Sequence, residues 1–294
     1  MTSSRTGRAV AGSVITLLVV VAIVVTMLGL YRWASSFWTA PPTYPSAHCE
    51  AVVNGQTATL TPEQAVNAAV IAGVASQRRL IPRAVSIGLA TAFQESGLRN
   101  LDYGDRDSLG LFQQRPSMGW GTPEQIMDPY YSAGKFYDVM VTVADWQTAD
   151  IGYVAQEVQR SGFPDAYDQH VNRARLIASA LSGETPAAWS CMVDDPAPPD
   201  PDQLLMALTR AYGSTILATP TPATESAPAT ITLTAMDEAT AWSAAAFAQS
   251  WAIATGVTQV SVGQFGWQAA ADVLSGWVGV PESDQAATTA VVTF

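Results

Sequence analysis

Glu95 sits in the stretch AFQESGLRN at 92–100, and SLGLFQQ follows at 108–114. Few other residue types in this chain can carry acid–base or nucleophilic chemistry. His48 and His170 are the only histidines and Cys49 and Cys191 the only cysteines. A zinc site of the usual His/Cys/Asp kind is hard to assemble from that set. A Ser-His-Asp or Cys-His arrangement would have to use His170. The glycines of 104–121 follow no predicted strand, so they are not read as a phosphate-binding loop. Carboxylate chemistry remains, and neither metal nor cofactor is expected.

Glu95 is placed for it. Pro82 opens a predicted helix that runs to Glu95-Ser96, where Gly97 supplies the stop. The carboxyl group is then in the last turn, where the negative end of the helix dipole disfavours a second negative charge. If Phe93, Leu98 and the Leu111-Phe112 segment shield it from water, desolvation acts in the same direction. A glutamic acid still protonated near neutral pH is a general acid. The plainer alternative is an exposed glutamate near a helix end. Asp102, Asp105 and Asp107, in the loop just after it, are candidates for a second carboxylate, because glycosidases generally use two.

The elements that must position these groups are helical. Thr61-Pro62-Glu63 caps a helix to about Arg79, and Thr122-Pro123-Glu124 and Asp128-Pro129 open two more. Asp150–Arg160 and Asp165–Leu181 read as a further pair, divided by Gly162-Phe163-Pro164. No convincing strand falls between 61 and 181. Val193–Asp202 (VDDPAPPDPD) reads as a proline-acid linker. Beyond it come a helix at Gln203–Tyr212, a loose segment at Thr219–Pro228, and a strand at Thr230–Thr234. An alanine-rich helix at Glu238–Thr255 carries Trp242 and Trp251 as anchors, and strands follow at Gln259–Val262 and Ala290–Phe294.

E-S-G-L at 95–98, followed by Ser108-Leu109-Gly110-Leu111-Phe112-Gln113, resembles the first two motifs of the lysozyme superfamily. The branch it is most similar to is the soluble lytic transglycosylases and goose-type lysozymes. The resemblance implies that Glu95 is the catalytic acid/base. It makes Gly110, Leu111, Phe112 and Gln113 cleft residues, with Ser108 supporting their loop. A third family motif, Ala-Tyr-Asn, is matched only weakly by the stretch Gly152–Gln159, where Tyr153 and Gln156 stand nearest the family's positions. The segment Gln113–Tyr137 is similar to exported lysozyme-like proteins of actinobacteria. Trp120, Trp146 and Tyr130-Tyr131 could stack on sugar rings, though core packing suits Trp146 better. The same holds for Trp267 and Trp277 in the C-terminal part. A lytic transglycosylase needs no second carboxylate, because the sugar's own hydroxyl attacks; a goose-type hydrolase wants one, and the sequence leaves that choice open.

Composition sets the compartment. The formal net charge is −11, Lys135 is the single lysine, and no basic block exists, which argues against a nucleic-acid partner. Ala9–Leu30 carries no charge, and residues 9–31 read as a transmembrane signal anchor. Arg5 and Arg8 before it outweigh Arg32 after it, which puts the N-terminus inside. A cleaved signal peptide is the alternative; either way the remainder is exported. Cys49 and Cys191 bracket one region and are expected to pair in an oxidising compartment, two unpaired buried thiols being the alternative.

The expected fold is therefore a mainly α lysozyme-like domain, preceded by one transmembrane helix and followed by a small α/β domain. Its parts are a cytoplasmic tail at 1–8, the membrane helix at 9–31, a stalk at 32–48, the catalytic domain at 49–192, the linker at 193–202 and the C-terminal domain at 203–294. The expected function is cleavage of peptidoglycan glycan strands at the outer side of the cell membrane. The alternative is an inactive glycan-holding scaffold within a secretion or conjugation apparatus.

Overall fold

The computed structural model describes residues 24–29, 47–280 and 283–294. The chain divides into two units, 1–44 and 45–294, and within the first the segment 24–29 is helical.

The second unit opens on a hairpin. Strand β1 (His48–Val53) pairs antiparallel with β2 (Gln56–Leu60) through Asn54-Gly55, both at positive φ, as a two-residue type I′ turn demands. Five helices follow after β2. They are α1 (Pro62–Gln77), α2 (Pro82–Ser96), the single turn α3 (Pro123–Ile126), α4 (Pro129–Met140) and α5 (Ile151–Gln159). Helix α6 (Asp168–Leu181) leads to β3 (Trp189–Met192), which returns to the other edge of β1. There Cys49 lies directly opposite Cys191, and the expected disulfide joins them across 142 residues. Closing a loop of that length stabilises a fold by about 4–5 kcal/mol on the chain-entropy account.

The remaining elements build a second layer. Helix α7 (Pro201–Tyr212) precedes β4 (Ile216–Thr221), β5 (Thr230–Ala235), α8 (Glu238–Ser250) and the short α9 (Ala252–Thr255). Strands β6 (Gln259–Val262), β7 (Phe265–Gln268), β8 (Val278–Gly279) and β9 (Thr289–Thr293) complete a six-stranded antiparallel sheet in the order β4-β5-β9-β6-β7-β8.

Two helices hold the unit together. Helix α8 is buried without a break from Ala241 to Ser250, because β5, β6 and β9 cover one side while α1, α6 and β3 cover the other. Helix α1 is buried from Asn67 to Ala75 against α2, α4, α7 and α8. Its small residues permit that crowding; a Cβ on Gly73 would lie 2.7 Å from the Cβ of Ala211 on α7. Buried hydrogen bonds tie the layers: Ser243 Oγ on α8 donates to the Leu181 carbonyl at 2.6 Å and pairs with the Tyr212 hydroxyl at 2.8 Å. The apolar core is continuous from β1 to Phe294. The proline-acid stretch lies along α9, with Ala197 N–H on the Ile253 carbonyl (2.8 Å) and Asp200 N–H on that of Thr255 (2.9 Å).

The expected fold class needs correction. The described chain is mixed α/β with two antiparallel sheets rather than a mainly α domain with a small α/β appendage. Residues 62–181 are helical as read, but strands at both ends of that run close it into a sheet. Those strands have four to six residues each, too short to stand out by periodicity alone. The predicted tail, membrane helix and stalk lie outside the described residues, apart from 24–29 and residues 47–48. Among the described residues no helix is long and apolar enough to cross a membrane.

Candidate active site

Helix α2 is the hub of the helical layer. It packs on α1, α4, α5 and α6 and is buried from Ala84 to Phe93. Glu95 stands in its last turn, and that turn is fixed from several sides. Gly97, at φ 64°, donates its N–H to the Phe93 carbonyl (3.0 Å), and Leu98 N–H reaches that of Ala92 (2.9 Å), a Schellman closure that needs the left-handed residue. From α1, Gln64 Nε2 donates to the Gly97 carbonyl (2.8 Å) and Asn67 Nδ2 to that of Leu98 (3.1 Å).

Ser96 couples this turn to the second motif. Its Oγ donates to the Leu111 carbonyl (2.8 Å), with the Ala92 carbonyl at 3.0 Å, and accepts Arg99 N–H (3.2 Å). The loop itself is a small folded unit. Leu109 and Gln114 exchange both backbone hydrogen bonds at 3.0 Å, and Gly110 N–H binds the Leu101 carbonyl at 2.7 Å. Gly110 has φ 76°, and any Cβ there would meet the Ile126 carbonyl at 2.7 Å. Ser108 is buried, as are Leu111 and Phe112, the latter stacked on Phe136 with centroids 4.6 Å apart. Gln113 is half-buried and donates to the Tyr103 and Gly110 carbonyls, both at 3.3 Å. Gln114 is buried and donates to the Ser132 carbonyl at 3.1 Å.

Glu95 is half-buried. Tyr167, the last residue of the 3-10 turn Pro164–Tyr167 that leads into α6, donates its hydroxyl to Glu95 Oε1 at 2.6 Å. Burial raises the Glu95 pKa, while hydrogen bonds from Tyr167 and Gln159 pull it partly back. Tyr167 is fully buried, and burial together with the carboxylate beside it holds its phenol well above the usual range, so it stays a neutral donor. Gln159, at the end of α5, donates to the Phe112 carbonyl at 2.7 Å. One acid, one phenol and one amide thus meet where α2, α5, the 3-10 turn and the 108–114 loop converge. On the other side of the turn, Gln94 accepts from Gln169 Nε2 (3.0 Å) and sits 3.1 Å from His170 Nε2.

No family model and no curated protein matches the chain.

The other predicted site residues fall into distinct places. Gln156 is half-buried one turn before Gln159 and donates to the Ser161 carbonyl at 2.8 Å, closing the C-terminus of α5. Tyr153 is exposed on α5. Trp120 is half-buried and packs on the core. Asp107 accepts Arg115 Nε and Ser117 N–H, each at 2.8 Å, and the Ser117 hydroxyl, with these two, holds its carboxyl well below the usual range. Asp102 and Asp105 are exposed, with Arg106 at 3.8 Å from Asp105. Tyr130 lies beneath the Arg210 guanidinium at 4.0 Å from its centroid, and burial pushes its phenol up to about 12.

Sequence reasoning did not reach Tyr167 or Gln159. The signal for the first was F-P-D-A-Y at 163–167, a proline-opened turn that delivers a tyrosine to the start of a helix. The second differs from the predicted Gln156 by three positions, close to one helical turn.

Proposed function

We propose that this chain cleaves peptidoglycan glycan strands with Glu95 as a single general acid/base. The observation that carries the reading is the shielded Glu95 carboxyl held by the Tyr167 hydroxyl at the buried end of α2. Protonated Glu95 gives its proton to the glycosidic oxygen as the C–O bond breaks and oxocarbenium character develops on the sugar. The resulting carboxylate, steadied by Tyr167, then removes a proton from the attacking oxygen. Asp107 is tied up by Arg115 and Ser117, and Asp102 and Asp105 are exposed, so among the described residues none of the three is held in the way Tyr167 holds Glu95. This supports attack by the sugar's own hydroxyl, the transglycosylase route. Exposed Phe163, four residues before Tyr167, offers a ring to a sugar face. The Cys49–Cys191 disulfide suits an exported site, where this substrate is found.

The test is mass spectrometry of soluble products from peptidoglycan treated with wild-type protein or Glu95→Gln. Anhydro-ended fragments from wild type alone are expected. Reducing ends would reassign the nucleophile to water. No fragments, with wall binding retained, would turn the reading to a glycan-holding scaffold.

A further inference from the structure

A cavity of about 280 Å³ opens where α8 begins, lined by Glu238, Trp242, Gln264, Phe265, Gln285 and Ala287 among others. Its origin is topological. Along β6 and β7 the residues Val260, Val262 and Trp267 are buried, while Phe265, at the hairpin end, is 44% exposed. Helix α8 starts at Glu238 and covers that last position only in part, through Trp242. A large ring is thus left at the rim of a cavity instead of in the core.

From the chemistry of this lining we propose that the cavity binds a primary alkylammonium group, the end of a lysine-type side chain. Trp242 and Phe265 form two walls of a corner, their centroids 5.7 Å apart and their planes at 59°. The faces of both rings attract a cation. Trp277 braces Trp242 edge-on from behind at 4.8 Å. Among the described residues of the lining Glu238 is the one that carries charge, and none of them is cationic. Its Oε1 takes the Trp242 indole N–H at 3.4 Å, which leaves the second oxygen to accept from an ammonium. The Gln285 amide is committed elsewhere: it donates to the Ser261 and Thr289 carbonyls and accepts the Ser261 hydroxyl, so it builds the wall and does not compete.

The same features select among ligands. An anion would meet the carboxylate, and a neutral alkyl chain would gain burial without the charge interactions. A quaternary ammonium would offer no hydrogen to Glu238 and would find rings on only two sides. This site is independent of Glu95 and of any glycan chemistry.

The test titrates Nα-acetyl-lysine methylamide into the full-length protein and follows the tryptophan indole resonances by NMR. The norleucine analogue, which has the alkyl chain without the ammonium, is the control. A saturable shift at Trp242 is expected, with the norleucine analogue weaker by about tenfold. Glu238→Gln and Phe265→Leu should each weaken binding by about five- to tenfold, while unmoved signals from buried Trp189 and Trp267 show that the fold is intact. Equal binding of the norleucine analogue, undiminished binding by both variants, or no saturable shift would each overturn the proposal.

Discussion

Two glutamates stand at opposite poles of two buried helices. Glu95 occupies the last turn of α2, and Glu238 is the first residue of α8. At the first pole the backbone carbonyls point outward, burial is substantial, and ionisation is disfavoured. At the second the backbone amides favour a negative charge, and the side chain is exposed. One residue type thus becomes a shielded acid at a helix end in one place and an exposed side chain at a helix start in the other. What separates them is the direction of the helix and the depth of the carboxyl group, not the identity of the side chain.

The largest effect that would test this contrast is at Glu95. Glu95→Gln keeps the shape and an acceptor for Tyr167 but removes the transferable proton. A loss of about 10²- to 10⁴-fold in glycan cleavage is expected, the usual range for a general acid/base. Glu238→Gln should leave cleavage at the wild-type rate. Equal losses in both variants, measured on the same wall preparation, would erase the distinction.

Tyr167→Phe should cost less, about tenfold in maximal rate, the order of one hydrogen bond to a charged group. Its diagnostic is the pH profile. The Tyr167 hydroxyl lowers the Glu95 pKa, so removing it lets that pKa rise further. Activity needs protonated Glu95 and falls as pH rises through its pKa, so the alkaline limb should move to higher pH. A limb that stays put would make Tyr167 a packing residue only.

The same shift has a stability consequence with a definite sign. The Glu95 pKa is raised in the folded state, so its contribution is fully present below the ordinary value of 4.5 and is lost as pH rises through the folded value. Above the ordinary value, where the unfolded carboxyl ionises, the raised pKa is therefore a burden on the fold. Glu95→Gln should melt higher than wild type at pH 7, and the gap should close below pH 4.5. Thermal melts across that range would measure it, and a variant that melts lower at pH 7 would contradict the buried-acid reading.

How far this contrast was legible in the sequence follows from particular residues. Pro82 and Gly97 mark both ends of α2, and E-S-G-L beside S-L-G-L-F-Q singles out Glu95 and its loop. Those signals are local: capping and positive-φ chemistry act within a few residues. Tyr167 was not legible, because its role depends on a 72-residue separation closed by the packing of α2 on α6. The V-N-G-Q turn was a local signal of equal strength for the β1–β2 hairpin, yet short strands carried too little periodicity to draw attention to it. The alanine-rich run at 238–250 predicted α8 but not its burial on every side. Alanines are as compatible with a solvated helix as with one squeezed between a sheet and three further elements. The aromatic corner at Trp242 and Phe265 was likewise invisible, since it needs the β6–β7 hairpin to overhang the start of that helix.

The smallest expected effects separate the two poles most cleanly. The Asp237 side chain caps α8 by accepting Thr240 N–H at 2.7 Å, so Asp237→Ala should cost about 1 kcal/mol of stability. Glu238→Gln, one residue on, removes only a charge beside the helix amides and should cost about 0.5 kcal/mol at low salt. That charge is exposed, so the difference should shrink at 1 M salt, where the screening length falls to about 3 Å. The Glu95→Gln gain arises from burial and should survive the same salt. Identical chemistry at two positions would then change stability in opposite directions, and only one of the changes would be salt-sensitive. If both variants melted lower at pH 7, or salt abolished both differences, helix direction and depth would not be what sets these two carboxylates apart.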